Sequence, residues 1–332
     1  MHHKAIIYSL DPKIHIQNLK TQDVYEYDRD KYTKLLHWAQ THKICCMMVE
    51  EKDHDLHYKF FAIRPKVSLV YYMGNISLLN QKILGMVGPR KMSIYGKKVI
   101  ETTFEYLKTH NVVTISGLAE GVDQLCHQLS LTHNIPTIAV LWWGIGRYIK
   151  RPEYYLLIQQ IIEAGGLVVS EYKLFEQPTY YTFPQRNRLI AWLSDIVFLP
   201  EAGKKSGSLI TVDYALAMKK PVYATPNSIF APNSAGILSY IEKGSIKPIF
   251  HLQNFFDTHF SSKNISSRLP ITIQLTDQEQ WLFSLFSHNQ PQDIKKLLQK
   301  TWYDIQQIIP LLTMLEIKWI LYQDSPGTYV VL

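Results

Sequence analysis

The chain has 332 residues, long enough to bury a large core and to form two or three domains. With 46% hydrophobic residues and no apolar run of transmembrane length, its composition argues against a membrane-spanning protein. The net charge of +7 is uneven: residues 1–62 hold nine basic and nine acidic side chains, 272–332 hold four and six, and 63–271 hold 22 and 13, a local +9 that points to a polyanionic partner.

In chain order, residues 1–62 give mixed signals, with helical spacing at 32–40 and a strand-like run at 44–49, and no function can be read from them. No secretory apolar segment ending in a small-residue cleavage site is visible there. Cys45, Cys46 and Cys126 match neither a disulfide nor a metal-site spacing. A reducing cytoplasm is the expected setting, with no metal or cofactor.

Residues 83–88 read as a buried strand, followed by Pro89-Arg90-Lys91 and a helix over 93–109. Gly88 leaves the backbone open at the strand's carboxyl end, and the forked guanidinium of Arg90, with Lys91 beside it, projects where phosphates would lie. A second strand at 112–115 runs into Ser116-Gly117-Leu118-Ala119-Glu120-Gly121-Val122-Asp123 and then into helical spacing at Val122, Leu125, Cys126 and Leu129. Strand, glycine turn and helix N-terminus together present unpaired N–H groups to an anion. Gly117 and Gly121 permit the sharp turn and a close approach. Asp123 suits the first helical turn, although it would repel a phosphate placed directly against it. One such turn is equally consistent with a plain βα connection. Two on successive strands favour a shared crevice, because ligands of open α/β sheets bind at strand carboxyl ends.

Further strands are predicted at 137–141, 167–171, 196–200 and 221–224, alternating with helical patterns near 153–164, 185–193 and 207–218. That alternation implies an α/β, Rossmann-like fold with a mostly parallel sheet covered on both faces. Three more segments fall at the same strand ends. Lys173 and Phe175 pair a cation with an aromatic ring, Arg186 and Asn187 start a helix, and Lys204, Lys205, Ser206, Gly207 and Ser208 form a flexible basic loop. Singly, each reads as well as a solvated loop, a capped helix or a linker. Together they suggest a groove for a phosphodiester backbone with rings available for base stacking.

These motifs resemble the DNA-processing protein A (DprA, or Smf) family, the single-stranded DNA-binding recombination mediators of bacterial transformation. The resemblance rests on Val87-Gly88-Pro89-Arg90 with Ser93, Tyr95 and Gly96, on residues 116–123, on Ser170-Glu171-Tyr172, on residues 183–191 and 206–211, and on Pro226-Asn227-Ser228. It runs in unbroken order from about 65 to 250, with Tyr71-Tyr72-Met73-Gly74-Asn75 similar to the family's lead-in to its first Rossmann strand. Pro89 stands where such families usually carry Ser or Thr, Asn227 where they carry Gly, and the usual Tyr-Pro after the third strand is blurred within 146–152. The N-terminal 62 residues are short for the helical domain of many relatives. The resemblance implies a non-catalytic protein that binds and protects incoming single-stranded DNA, loads RecA recombinase onto it, and forms a homodimer through the Rossmann domain, residues 63–257.

A polar linker over 258–271 leads to a tail, 272–332, with helical spacing at 279–287, 291–300 and 304–315 and two strands at 319–323 and 327–332. This is a winged-helix pattern. Its third helix has no Lys or Arg from Tyr303 through Glu316, which suits a protein contact or a stabilising role better than duplex DNA.

A second functional class stays open at this level. The Lonely Guy-type nucleotide phosphoribohydrolases share the topology and use a Pro-Gly-Gly-x-Gly-Thr loop with a nearby glutamate. Here that loop is Pro200-Glu201-Ala202-Gly203-Lys204-Lys205-Ser206-Gly207-Ser208, so the glycine signature is missing and two lysines are added. No nucleophile–base arrangement and no dinucleotide glycine fingerprint is visible, so the binding reading is preferred.

Overall fold

Val, Ile and Leu dominate the four-residue runs Ile83–Met86, Val113–Ser116, Thr137–Val140, Leu167–Ser170 and Ile196–Leu199, and every residue in these runs is buried. Strands buried on both faces belong in a sheet sandwiched between helices. The computed structural model describes Ser9 and residues 29–49, 58–61, 63–262, 275–286, 292–301, 303–317, 321–325 and 327–331. They fall into two units, residues 1–263 and 264–332.

The first unit begins with α1 (Arg29–Thr41), β1 (Cys45–Met48), α2 (Tyr58–Phe61) and β2 (Leu69–Gly74). The alternating part follows as β3 (Ile83–Met86), α3 (Ile94–Leu107), β4 (Val113–Ser116), α4 (Val122–Thr132), β5 (Thr137–Val140), α5 (Ile145–Ile149), α6 (Pro152–Glu163), β6 (Leu167–Ser170), α7 (Thr182–Leu193), β7 (Ile196–Leu199), α8 (Ser208–Ala217), β8 (Val222–Ala224), α9 (Ala235–Glu242), β9 (Lys247–Pro248) and α10 (Leu252–His259). Local chemistry sets several of these boundaries. Ser93 caps α3 by accepting from the Gly96 N–H, and Pro152 occupies the first turn of α6, where a missing N–H costs nothing.

The nine strands form one sheet in the order β1-β2-β6-β5-β4-β3-β7-β8-β9. Pairing is parallel from β6 through β9, while β2 runs antiparallel to both β6 and β1. The expected Rossmann-like α/β architecture is therefore present. One sheet face, with Ile83, Val113, Val140 and Val197, packs on Leu189, Leu193, Val212 and Ala215 of α7 and α8. The other carries Leu84, Met86 and Phe198 against Ile100, Phe104, Cys126 and Phe256 of α3, α4 and α10. Chain order turns around between β3 and β7, since β4 to β6 extend to one side and β7 to β9 to the other.

Two differences from the sequence reading concern segment roles. Residues 45–48, set apart within 1–62, are a strand paired with β2, and residues 69–74 form a full strand of the sheet rather than only a lead-in. At the other end, α10 and an antiparallel bridge from His110 to Ser262 keep 258–262 on the first unit, so the linker expected from 258 is ordered at its start. Its remainder, 263–271, lies outside the described residues.

The second unit contains α11 (Asp277–Ser284), β10 (Gln292–Asp293), α12 (Ile294–Lys300), α13 (Ile305–Ile317), β11 (Leu321–Ser325) and β12 (Thr328–Val331). Thr276 and Glu279 form a reciprocal capping box at the start of α11. The strands pair antiparallel in the order β10-β12-β11, and Leu282, Leu297, Ile308, Leu312, Leu315 and Leu321 form the core. Among the described residues, no helix is long and apolar enough to cross a membrane.

Candidate nucleic-acid interface

At the carboxyl end of β3 the chain turns outward through Gly88 and Pro89, and at the end of β4 it turns through Gly117 to Gly121 into α4. The two turns are pressed together. A Cβ on Gly121, whose φ is +84°, would collide with the carbonyl oxygens of Pro89 and Arg90, so only glycine fits this crossing. The Val122 N–H donates to the Pro89 carbonyl at 3.3 Å and ties the turns together.

Between these turns, the start of α7 and the loop before α8 lies a crevice of about 350 Å³. It opens where chain order reverses between β3 and β7, the place where open α/β sheets bind ligands. Gly88 and Arg90 contribute one wall, Phe183 and Asn187 of α7 a second, and Lys205 through Ser208 a third. The exposed Arg90 guanidinium sits 5.2 Å over the Phe183 ring. Phe183 is steadied by an edge-to-face contact with Trp142 at 5.7 Å, and Gly207 leaves room for it, since a Cβ there would lie 3.2 Å from the ring. Ser206 and Ser208 share a hydroxyl–hydroxyl hydrogen bond of 2.7 Å at the start of α8.

Beneath the crevice is a buried ionic layer. Arg186 is 1% exposed and donates to the carbonyls of Gly117 and Val140, with Nε reaching Asn187 Oδ1 at 3.1 Å. Asp123, also buried, lines the crevice. Burial pushes the Asp123 carboxyl up, and Arg186 opposes that shift by favouring the charged form. Burial likewise pushes the Arg186 guanidinium down, against Asp123. The Asp123 charge is thus answered from below, which reduces its repulsion of an anion above. Deeper still, His127 Nδ1 pairs with Thr137 Oγ1 at 2.8 Å, and burial, then Arg186, pushes its pKa down to about 3.

The lip is held rigidly. Glu201, fully buried, accepts from the Ser93 N–H at 2.7 Å, the Ser93 hydroxyl at 2.5 Å and Asn233 Nδ2 at 3.2 Å. Arg188 pairs with Glu171 at 2.5 Å and joins α7 to the end of β6. Arg188 is buried and the Glu171 side chain is 9% exposed, so the Glu171 carboxyl is pushed up by desolvation against the pull of Arg188.

Of the residues expected at the site, Gly88, Arg90, Asn187, Lys205, Ser206, Gly207 and Ser208 line the crevice together. Lys91 and Lys204 are exposed on the same two loops, and Gly117 and Gly121 shape the turn. Three expectations need correction. Arg186 points into the protein, because the carbonyls of Gly117 and Val140 and the Asn187 side-chain oxygen claim its guanidinium. Ser116 is also buried, its hydroxyl donating to the Met86 carbonyl at 2.7 Å. Lys173 and Phe175 do not line the crevice: Phe175 packs on Trp38 of α1 at 4.8 Å, under Lys150 at 4.9 Å, and its carbonyl accepts from Arg147 Nε at 2.7 Å. Phe175 thus packs within the fold instead of standing at the crevice.

Phe183 is the residue the site expectation lacked. Its signal was present as helical spacing: Phe183, Asn187 and Ile190 fall at i, i+4 and i+7 on α7, and all three line the crevice. Tyr180 and Tyr181, 88% and 77% exposed, stand just before that helix. Among the described residues, no group of three or more His, Cys, Asp or Glu could hold a metal ion.

Comparison with known proteins now adds to this geometry. The sequence model of the family described as DNA recombination-mediator protein A matches residues 47–259. The DNA processing protein DprA of Streptococcus pneumoniae is 38% identical over 177 residues, which make up 53% of this chain and 62% of that one. Protein Smf of Escherichia coli is 37% identical over 177 residues, 53% of this chain and 47% of its own. The chain thus spans about half to two thirds of these curated relatives. Among solved structures, DNA processing protein A of Helicobacter pylori, studied for its single-stranded DNA binding mode, superposes with a TM-score of 0.57 at 29% identity, covering 65% of this chain and 95% of that one. The Streptococcus pneumoniae DprA structure superposes at 0.58 with 26% identity, covering 78% and 94%.

Proposed function

Because the chain belongs to the DNA recombination-mediator protein A family, we propose that it is a non-catalytic mediator that holds single-stranded DNA in the crevice between β3 and β7. The observation that carries this reading is the exposed Arg90 guanidinium over the Phe183 ring, facing Lys205 and the start of α8 across one opening. Cations and a ring around one opening suit a phosphodiester with an unstacked base. About 350 Å³ accommodates a nucleotide but not a stacked base pair, which favours single strands over duplex.

The phosphoribohydrolase alternative fares worse. The glutamate of the corresponding loop, Glu201, is fully buried and engaged by Ser93 and Asn233, so it does not face a substrate. Protection of incoming DNA during transformation, loading of a RecA recombinase, homodimer formation and action in the cytoplasm belong to the same reading and are supported by family membership. In the second unit, read as a winged-helix-like domain, Ile305, Ile309 and Met314 of α13 are exposed on a helix without Lys or Arg, which supports a protein-contact role.

Fluorescence anisotropy with single-stranded and duplex oligonucleotides over a salt series tests the reading. Tighter binding of single strands is expected, with a log–log salt slope of about −0.7 per neutralised phosphate. Equal affinity for the two forms, or binding indifferent to salt, overturns it. Light scattering at micromolar concentration tests the dimer separately.

A further inference from the structure

Across the Pro89–Met92 segment from the crevice lies a second groove of about 370 Å³, between the first turns of α3 and α4. Its lining includes Met92, Ile94, Lys97, Gly121, Gln124 and Gln128. The ridge between the two hollows is narrow. It consists of the Pro89–Arg90 backbone and the Gly121 turn pressed against it, and it carries Arg90 and Lys91, both exposed. Neither cation has an acidic partner among the described residues.

The groove's chemistry suits a base. Gln124 and Gln128 lie at i and i+4 on one face of α4, and neither side-chain amide has a hydrogen-bond partner among the described residues. Each offers donors and an acceptor, the combination that reads any base edge. Opposite them stands Ile94, 90% exposed, with Met92, giving an apolar surface for a ring face. Lys97 is already committed to Glu101 at 3.8 Å, and exposed Glu120 flanks the turn, so the groove offers little attraction for a second phosphate. The phosphate belongs on the Arg90–Lys91 ridge.

We propose that this groove is a second nucleotide subsite, taking the base next to the one held in the crevice, with the linking phosphate on Arg90 and Lys91. The inference rests on the single-stranded DNA reading above and deepens it. The path is a strand draped over the ridge, one base on each side, with contacts that tolerate any sequence.

Two measurements on the full chain test it. Oligo(dT) carrying 5-iodouracil, photocrosslinked and mapped by mass spectrometry, is expected to mark Met92, Ile94 or the 124–128 face as well as crevice residues. Gln124→Trp, at a partly exposed helix position, fills the groove and should weaken oligo(dT) binding about tenfold, the equivalent of one lost base contact, with an unchanged melting temperature. Ile94→Ala, which fills nothing, should weaken binding in the same direction without disturbing the fold. If the parent binds oligo(dT) in an Arg90-dependent way, yet crosslinks fall only in the crevice and Gln124→Trp binds like the parent, the groove inference alone is overturned. If the parent does not bind oligo(dT), the single-stranded DNA reading fails and the groove inference fails with it.

Discussion

Two aromatic residues close together in the chain, Phe175 and Phe183, occupy unlike places. Both follow β6, and both lie near cations in sequence and in space. Phe183 stands in the crevice wall with the exposed Arg90 over its ring. Phe175 packs on Trp38, with the exposed Lys150 ammonium 4.9 Å from its ring. A cation over a ring thus borders an open crevice at one position and accompanies packing at the other. What separates them is where the ring lies: Phe183 lines an open crevice, whereas Phe175 packs on α1 with its own carbonyl held by Arg147. The arginines divide similarly. Arg90 is exposed above the crevice floor and Arg186 is sealed within it.

The sharpest way to break this comparison is Arg186→Ala. Removing the buried guanidinium leaves the Gly117 and Val140 carbonyls without their donor and should cost about 1–3 kcal/mol of stability for each. Urea unfolding reads this directly, and a parent-like midpoint would show that the floor is not held by Arg186. Arg90→Ala should do the reverse. It should leave unfolding within about 0.5 kcal/mol of the parent, as for an exposed position. Single-strand affinity should meanwhile fall by roughly tenfold to a hundredfold, the range for losing a charged hydrogen bond.

The two phenylalanines provide the next contrast. Phe183→Ala should cost about 1–3 kcal/mol in oligo(dT) binding, the range for one stacked base. Phe175→Ala should lower the melting temperature and leave affinity unchanged. An affinity loss at Phe175 equal to that at Phe183 would erase the distinction.

The smallest expected effect concerns acid stability under the floor. Burial depresses the His127 pKa to about 3 from an ordinary 6.5. Above pH 6.5 the ring is neutral in both folded and unfolded chains and contributes no pH dependence. Below it, the unfolded chain takes up a proton that the folded chain refuses, so stability falls as pH drops from 6.5 toward 3. The raised Asp123 carboxyl acts in the opposite direction, because the folded form protonates first as pH falls. Subtracting a His127→Gln variant isolates the histidine. The parent should lose about 1.4 kcal/mol per pH unit relative to it between pH 6 and 4 in denaturation series. Parallel pH profiles would show that His127 is not held neutral by its surroundings.

Much of this arrangement was legible from local pattern. Apolar runs bounded by glycine and polar turns located the central strands to within about a residue or two, because a strand buried on both faces tolerates little else. Gly88, Gly121 and Arg90 were readable as parts of one site, since a glycine turn at a strand's carboxyl end is itself a local geometric requirement. The helical spacing of Phe183, Asn187 and Ile190 was equally available, although it announced only that they share a face.

What local pattern could not supply was which side of that face is solvent. Arg186 and Arg188 have the composition of a surface helix, yet both are buried, because the Gly117 and Val140 carbonyls engage Arg186 and Glu171 at the end of β6 engages Arg188. Cys45–Met48 joined the sheet only once Leu69–Gly74 ran antiparallel beside Leu167–Ser170 and offered an edge. The sequence by itself thus determined the alternating parallel sheet and the ligand-ready strand ends, through periodicity and turn chemistry acting over a few residues. The tertiary structure decided which cations stay exposed and which are spent on the fold, because burial and pairing depend on partners 17, 46 and 69 residues away in the chain.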